Sequence, residues 1–296
     1  MALKILVIHN PIAGRRRRRR VRELLKILDA RGHHVRAKLT TQAGDAHEAA
    51  RDTVGLDIIV AAGGDGTVNE VVNGLCSKPA DEPLPAIAFL PLGTANVLAW
   101  ELRLPRSPAA VADLMEQGHT LAIQPGIANG RRFLLMASAG LDARAVAAVK
   151  TSVKRVIGGA AYVSAALKAL GEPRPSYKVA VAGQEYDART VIVTRASCYG
   201  GPFRLVLNAN LASPALHVVI MQGYGWWSAL RYGAALVSGR LHCLADVRVV
   251  GTDSVEIEGP SFDPVQMDGD LMATLPLSIS IEPQRVLLVT AGHKAR

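Results

Sequence analysis

The sequence predicts an α/β protein: an N-terminal parallel sheet covered by helices, followed by a C-terminal antiparallel β-sandwich. Three features carry that expectation. From residue 5 to residue 118, short apolar runs alternate with stretches of helical period, the pattern of a parallel sheet covered on both faces. From residue 178 onward, short apolar runs follow one another with turn residues between them, the pattern of a sandwich. Glycine-rich turns stand where early strands give way to helices.

Ile5–His9 is a short apolar run and reads as a buried strand. Val21, Leu24, Leu25 and Leu28 fall on one helical face. His34–Thr40 reads as a strand and Asp45–Val54 as a helix. Asp57–Ala61 is a strand and a helix should begin at Thr67, where Thr67 and Glu70 have capping-box spacing. Gly74 with Leu75 suits a left-handed helix stop. Ala86–Leu90 is a strand, and Asn96–Leu102 a helix ending before Pro105. Ser107-Pro108 reads as a cap and first turn for a helix that stops near Gly118.

In the second half, helices are expected over Asp142–Val156 and Ala160–Leu170, followed by the breaker segment Gly171–Pro175. Strands are expected at Lys178–Ala182, Thr190–Thr194, Arg204–Leu207, Leu216–Met221, Asp246–Val250, Ser254–Glu258 and Leu277–Ile281, with one helix near Trp226–Val237. Domains are expected at 1–125 and 126–296, the last residues returning to the first domain.

The chain has 296 residues, 49% of them apolar, enough for a substantial core that must be aliphatic because aromatics are 4%. Net charge is +9, and Arg15–Arg20 concentrate part of it. Cys76, Cys198 and Cys243 lack metal-ligand spacing, which suits a reducing compartment. The N-terminal apolar run is too short for a signal peptide, and Leu84–Trp100 contains Pro85, Pro91 and Gly93, which disfavour a membrane span. A cytoplasmic protein, peripherally associated with membrane, is expected. Nucleic acid is an unfavoured partner because aromatic stacking residues are scarce.

Val60-Ala-Ala-Gly-Gly-Asp-Gly-Thr-Val-Asn-Glu-Val-Val-Asn-Gly-Leu75 sets Gly63, Gly64, Asp65 and Gly66 at a strand's C-terminal end. Free amides and the dipole of the following helix make that place an anion site, and glycine lets a phosphate approach the backbone. An aspartate there repels phosphate unless Mg²⁺ lies between them. The alternative is a tight turn without a ligand. Pro91–Asn96, with Gly93 and Thr94, repeats the arrangement after the next strand, and His9-Asn10-Pro11 follows the first. Loops at the carboxyl ends of parallel strands converge on one crevice.

This ordered set resembles the diacylglycerol kinase catalytic family, which includes sphingosine kinases and related bacterial lipid kinases. The resemblance implies an α/β nucleotide-binding domain, a C-terminal sandwich, and a cleft between them for ATP and lipid. By position it gives Asn10, Thr41, Gly63, Gly64, Asp65, Gly66, Thr67, Asn69, Gly93 and Thr94 to the ATP site, with Asp65 acting on Mg²⁺. Gln266-Met-Asp-Gly-Asp-Leu271 resembles the family's Asp-Gly-Glu element. There Asp268 would take the proton from the lipid hydroxyl, and Asp270 stands for the glutamate. Without the resemblance, Asp-Gly-Asp reads as a hairpin turn. Val97 and Gln124 stand where many members have aspartates, and Ser213-Pro-Ala-Leu-His217 replaces a magnesium-binding Asp-Gly-x-Leu-Asp. That metal site is expected to be empty.

His33-His34 read as solvated rather than metal-binding, and Trp226-Trp227 read either as touching a membrane interface or, the favoured reading, as packed within the sandwich. Lys150, Lys154 and Arg155 face either lipid or solvent. The leading expectation is an ATP- and Mg²⁺-dependent kinase of a membrane lipid, diacylglycerol or a sphingoid base. It would be drawn to an anionic membrane by Arg15–Arg20 and capable of forming a homodimer. The alternatives are a kinase of a soluble substrate, including NAD, and a non-catalytic nucleotide-binding protein.

Overall fold

The structure, a computed structural model, describes residues 1–9, 15–144, 146 and 176–292, and the side chains among them except those of 15 and 16. Asn10, the later part of the expected helix Asp142–Val156, all of Ala160–Leu170 and Gly171–Pro175, and Lys150, Lys154 and Arg155 lie outside the described residues. The chain divides into one unit of Met1–Gln124 with Pro283–Arg296 and another of Pro125–Glu282.

The first unit is built on a six-stranded sheet. Its strands are β1 (Lys4–His9), β2 (His34–Leu39), β3 (Ile58–Gly63), β4 (Ala86–Pro91), β5 (Thr120–Ile123) and β20 (Val286–Val289), in the order β2-β1-β3-β4-β20-β5. All neighbours are parallel except β20 and β5. β3 is buried throughout, as a central parallel strand must be when helices cover both faces. β2 lies at the edge and carries exposed Arg36 and Lys38, charges that discourage further strand pairing.

Five helices belong to this unit: α1 (Arg15–Ala30), α2 (Asp45–Arg51), α3 (Asp65–Leu75), α4 (Val97–Glu101) and α5 (Pro108–Gln117). α1 buries Val21, Leu24 and Leu28, the stripe its spacing predicts. α5 is capped as expected: Ser107 Oγ accepts from the Ala110 amide at 3.3 Å, and Gly118 ends it with φ 69°.

Three local expectations are corrected. α3 starts at Asp65, not Thr67, and the Glu70 carboxylate accepts from the Ala46 amide at 3.1 Å instead of closing a capping box. Gly74 lies inside α3 rather than stopping it; a Cβ there would stand 2.2 Å from His47 O. Glycine is needed so that α2 and α3 can approach closely. His33 is also not solvated. It is buried, its Nδ1 accepts from the Leu3 amide at 3.2 Å, and its Nε2 therefore donates to Glu116 at 3.0 Å.

The second unit is a β-sandwich of two six-stranded antiparallel sheets. One contains β6 (Gly126–Ala128), β7 (Arg131–Phe133), β9 (Tyr177–Val181), β10 (Gln184–Ala188), β16 (Ser254–Glu258) and β19 (Leu277–Ile281), ordered β10-β9-β16-β19-β6-β7. The other contains β8 (Met136–Ala139), β11 (Thr190–Thr194), β14 (Leu216–Met221), β15 (Val247–Thr252), β17 (Pro264–Met267) and β18 (Asp270–Thr274), ordered β15-β14-β11-β8-β17-β18. Alternate residues such as Val179, Val181, Val255, Ile257, Val191, Val193, Val218 and Ile220 meet between the sheets in one aliphatic core.

Short strands with weak alternation, β5 to β8, β10, β17, β18 and β20, escape the sequence reading. The strand expected over Arg204–Leu207 is reduced to the two-residue β13 (Phe203–Arg204), paired with β12 (Cys198–Tyr199). The helix α6 (Trp226–Val237) appears where its period places it. Trp226 and Trp227 do not pack within the sandwich: they are 64% and 82% exposed. Among the described residues, no helix is long and apolar enough to cross a membrane.

Candidate active site

β3 ends at Gly63 and α3 begins two residues later, with Gly64 as an extended N-cap. The carbonyl of Gly63 accepts from the amides of Leu92 at 2.7 Å and Gly93 at 3.0 Å. The turn after β3 is thus bonded to the turn after β4. Gly93 lies against Gly64 so closely that a Cβ on it would stand 2.6 Å from the Gly64 Cα. Asn96, left-handed at φ 47°, closes its own loop: Oδ1 accepts from the Gly93 amide at 2.8 Å and Nδ2 donates to Gly93 O at 2.9 Å. Gly63 has a different reason to be glycine, since a Cβ would fall 2.2 Å from Thr67 Oγ1.

Asp65 joins the same two loops. Its carboxylate accepts from the amides of Val97 at 3.0 Å and Leu98 at 3.1 Å. These are the first residues of α4, so Asp65 caps that helix from a distance. The structure therefore gathers Gly63, Gly64, Asp65, Gly66, Thr67 and Gly93 at one edge of the sheet, with Thr94 exposed on the second loop. Asn69 lies one turn further along α3, buried, and its Oδ1 accepts from Asn73 Nδ2 at 3.1 Å. The first amides of a helix have no acceptor within it, and the dipole favours negative charge there. Knitted glycine loops at the head of α3 suit a phosphate chain.

The turn after β2 adds a residue that sequence reasoning missed. Asp45 Oδ2 accepts from the Thr41 amide at 2.6 Å, the Thr41 hydroxyl at 2.9 Å and the Gln42 amide at 3.1 Å. These bonds hold the Asp45 carboxyl below its ordinary value, the Thr41 amide contributing most. Thr41 itself is exposed and oriented by Asp45. A Thr-Gln-Ala-Gly-Asp turn opening a helix is the signal that was available. Arg20 is half-buried and donates to Pro91 O, the last carbonyl of β4, at 3.2 Å, whereas Arg17, Arg18 and Arg19 are exposed. Arg20 is therefore part of the fold as well as of the basic run.

Asp268 and Asp270 belong to the second unit. Asp268-Gly269 forms the two-residue turn between β17 and β18, with φ 48° and 89°, the left-handed pair a tight hairpin demands. The expected hairpin turn is therefore present. The buried Asp268 carboxylate accepts from three successive amides, Leu134 at 2.7 Å, Leu135 at 2.9 Å and Met136 at 3.0 Å. That set fixes its position and uses three of its roughly four lone-pair directions.

Beside it lies a polar network that the sequence did not announce. Asp142 accepts from Ser138 Oγ, from Tyr199 OH and from Gln266 Nε2, the last at 2.9 Å. Gln266 Oε1 in turn accepts from the Gly269 amide at 2.8 Å. Gln266 thus ties Asp142 to the turn that carries Asp268.

The positions that depart from the family pattern have their own chemistry here. Val97 is buried and contributes its amide to Asp65. Gln124 Nε2 donates to Pro283 O at 3.4 Å. In the Ser213–His217 segment the carbonyl of Ser213, with that of Leu211 at 3.1 Å, accepts from Nη2 of the fully buried Arg195. A guanidinium thus supplies positive charge to this loop. Burial pushes Arg195 down to about 10 and lowers His217, where the Arg195 charge adds to the effect.

No group of three or more His, Cys, Asp or Glu side chains suited to a metal exists among the described residues. Asp65, with both oxygens already accepting amides, is not a bare ligand. Mg²⁺ commonly needs only one or two carboxylates, with waters and substrate phosphates completing its shell. Asp65 fits such a water-mediated role.

Comparison with known proteins agrees with this architecture. Residues 4–127 match the model of the diacylglycerol kinase catalytic domain, and residues 136–290 that of the YegS C-terminal NAD kinase beta sandwich-like domain. The chain is 29% identical over 283 residues to a diacylglycerol kinase of Bacillus subtilis, covering 91% of this chain and 90% of that one. It is 35% identical over 144 residues to a protein of Chromohalobacter salexigens named "Probable lipid kinase YegS-like", covering 48% and 46%. A crystal structure of a diacylglycerol kinase from Bacillus anthracis superposes with a TM-score of 0.70 at 20% identity, covering 98% of this chain and 97% of that one. Two matched domain models in the order the fold displays, with a relative aligned over nearly its whole length, establish that this chain is a kinase of the diacylglycerol kinase and YegS-like lipid kinase family.

Proposed function

We propose that this protein is an ATP-dependent kinase transferring the γ-phosphoryl group to a hydroxyl of a membrane lipid, such as diacylglycerol or a sphingoid base. The observation that carries the reading is the Gly63-Gly64-Asp65 turn, bonded to Gly93 at the head of α3. Phosphoryl transfer asks a protein mainly for positioning and for stabilisation of charge. Backbone amides of the glycine turns and the α3 dipole would hold the phosphates, while Thr67 and Thr94 offer hydroxyls and Thr41 is oriented by Asp45. Mg²⁺, when bound, supplies neutralisation of phosphate charge; Asp65 would hold its waters while keeping the two loops together. Asp268 would accept the proton of the acceptor hydroxyl, and Asp270 stands beside it on β18. Exposed Arg17, Arg18 and Arg19 would attract an anionic membrane, where each basic residue contributes about 1 kcal/mol.

The test is phosphorylation with γ-labelled ATP and a panel of diacylglycerol, sphingoid bases and other hydroxylated lipids in mixed micelles, with NAD as a soluble acceptor. A labelled lipid is the expected product. Labelled NAD with no labelled lipid overturns the lipid reading in favour of a soluble substrate.

A further inference from the structure

α6 has an inner and an outer face, and both are apolar. Ala235 is buried, and Tyr232 donates its hydroxyl to Asp246 and accepts from the Gly223 amide at 2.8 Å. The opposite side carries Trp226, Leu230, Gly233, Ala234 and Val237 at helical spacing, with Trp227 beside them, all exposed. Trp226, Trp227, Leu230 and Val237 are 64%, 82%, 63% and 68% exposed. A surface helix normally turns charged residues outward. Here the only charged residue within α6 is Arg231, and it pairs with Asp246. The apolar surface extends to Phe203 on the adjacent β13, 38% exposed, and Leu207, further along the same segment of chain, is 53% exposed.

Charge identifies the occupant. Between Asp187 and Asp246 the chain has no acidic residue, while Arg204 belongs to the adjacent β13 and Arg240 follows the end of α6. Both are exposed, and no carboxylate is paired with either among the described residues. Tryptophans above an apolar stripe, in a segment that carries arginines and no acidic residue between Asp187 and Asp246, match the acyl–headgroup boundary of an anionic bilayer. We propose that the outer face of α6, with Phe203 and Leu207, is the surface by which this protein docks on a phospholipid membrane. The proposal deepens the lipid-kinase reading, which needs a route to a bilayer substrate, but its test requires no turnover.

Trp226, Trp227 and Trp100 are the three tryptophans of the chain, so a Trp100→Phe background leaves reporters only on α6. With vesicles of phosphatidylcholine containing phosphatidylglycerol, its emission should shift to the blue and be quenched by brominated acyl chains. Trp226→Ser/Trp227→Ser/Leu230→Ser should weaken partitioning by about tenfold or more, with most of the loss persisting at high salt. Trp227→Ser alone, at a position with no inward packing, should weaken it several-fold. On a water-soluble short-chain diacylglycerol the triple variant should turn over as wild type does. Equal partitioning of variants and wild type, or vesicle binding without quenching, overturns the proposal. So does a wild-type dimer in sedimentation velocity that the triple variant dissolves, since the face would then belong to a second copy. If wild type phosphorylates no lipid at all, the kinase reading falls while the partitioning result stands.

Discussion

The Asp65 carboxylate accepts a hydrogen bond from the Val97 amide at 3.0 Å, across 32 positions of sequence. Val97 is the position at which the family resemblance leads one to expect an aspartate. Its side chain is buried and its amide, with that of Leu98, is held by the acid of the preceding loop. One carboxylate at the head of α3 therefore also caps α4 and couples the helices that follow the two glycine turns, so any substitution at Asp65 acts on geometry as well as on charge.

Asp65→Asn keeps the shape but leaves only one oxygen for two amides. The lost cap should cost about 0.5–2 kcal/mol of stability. Loosened loops and a weakened hold on Mg²⁺ should lower turnover on the order of 10²-fold. Thermal melting and steady-state kinetics at saturating Mg²⁺ and ATP check both. Unchanged turnover would remove Asp65 from the catalytic account and leave it a cap.

Asp268→Asn should expose its two roles separately. The amide can accept from two of the three donors, Leu134, Leu135 and Met136, and its own NH₂ would face the third. A buried mismatch of that kind costs about 1–3 kcal/mol. Loss of the base should cost roughly 10²–10⁴-fold in turnover. ATP affinity, measured by calorimetry, should be unaffected. A folded variant with less than tenfold loss would exclude the base role.

Gly93→Ala drives a methyl to 2.6 Å from the Gly64 Cα and 2.7 Å from Asn96 Oδ1. The first neighbour is backbone, so the loops must separate. Stability should fall by about 1–3 kcal/mol, and nucleotide affinity should fall with it. Thr94→Ala, at an exposed position of the same loop, should stay within about 0.5 kcal/mol of wild-type stability. Equal melting of both variants would show that the Gly63–Gly93 junction is slack.

His217 is shifted below its ordinary 6.5 by burial and by the charge of Arg195. His9 is shifted the same way by burial and by Arg18. The folded state resists protonation at both, so the unfolded state binds more protons in the interval just below pH 6.5. Stability is fully present above that pH and is lost as pH falls toward the folded pKa values. His217→Gln should therefore lose less melting temperature than wild type between pH 7.5 and 5.5. An identical loss in the variant would rule out His217 as a contributor.

Much of this protein was legible without coordinates wherever a local rule decided the outcome. The period of Val21, Leu24 and Leu28 places α1, and Ser107-Pro108 with Gly118 bounds α5, because side-chain spacing and capping act over a few residues. The alternation of strands and helices placed the glycine turns at strand ends before helices. The order of motifs identified the family.

What only tertiary structure decided is where partners distant in sequence meet. Gly74 reads as a helix stop, but His47 O makes it a contact point between α2 and α3. Glu70 reads as half of a capping box, but its carboxylate is taken by Ala46. Trp226 and Trp227 have the composition of a core pair and stand outside it, because the inner face of α6 is already filled by Tyr232 and Ala235. Asp65, Asp268 and Arg195 announce their charges in the sequence. Their hydrogen-bond partners lie 32, 134 and 16 positions away, and only chain folding chooses which backbone groups receive each charge.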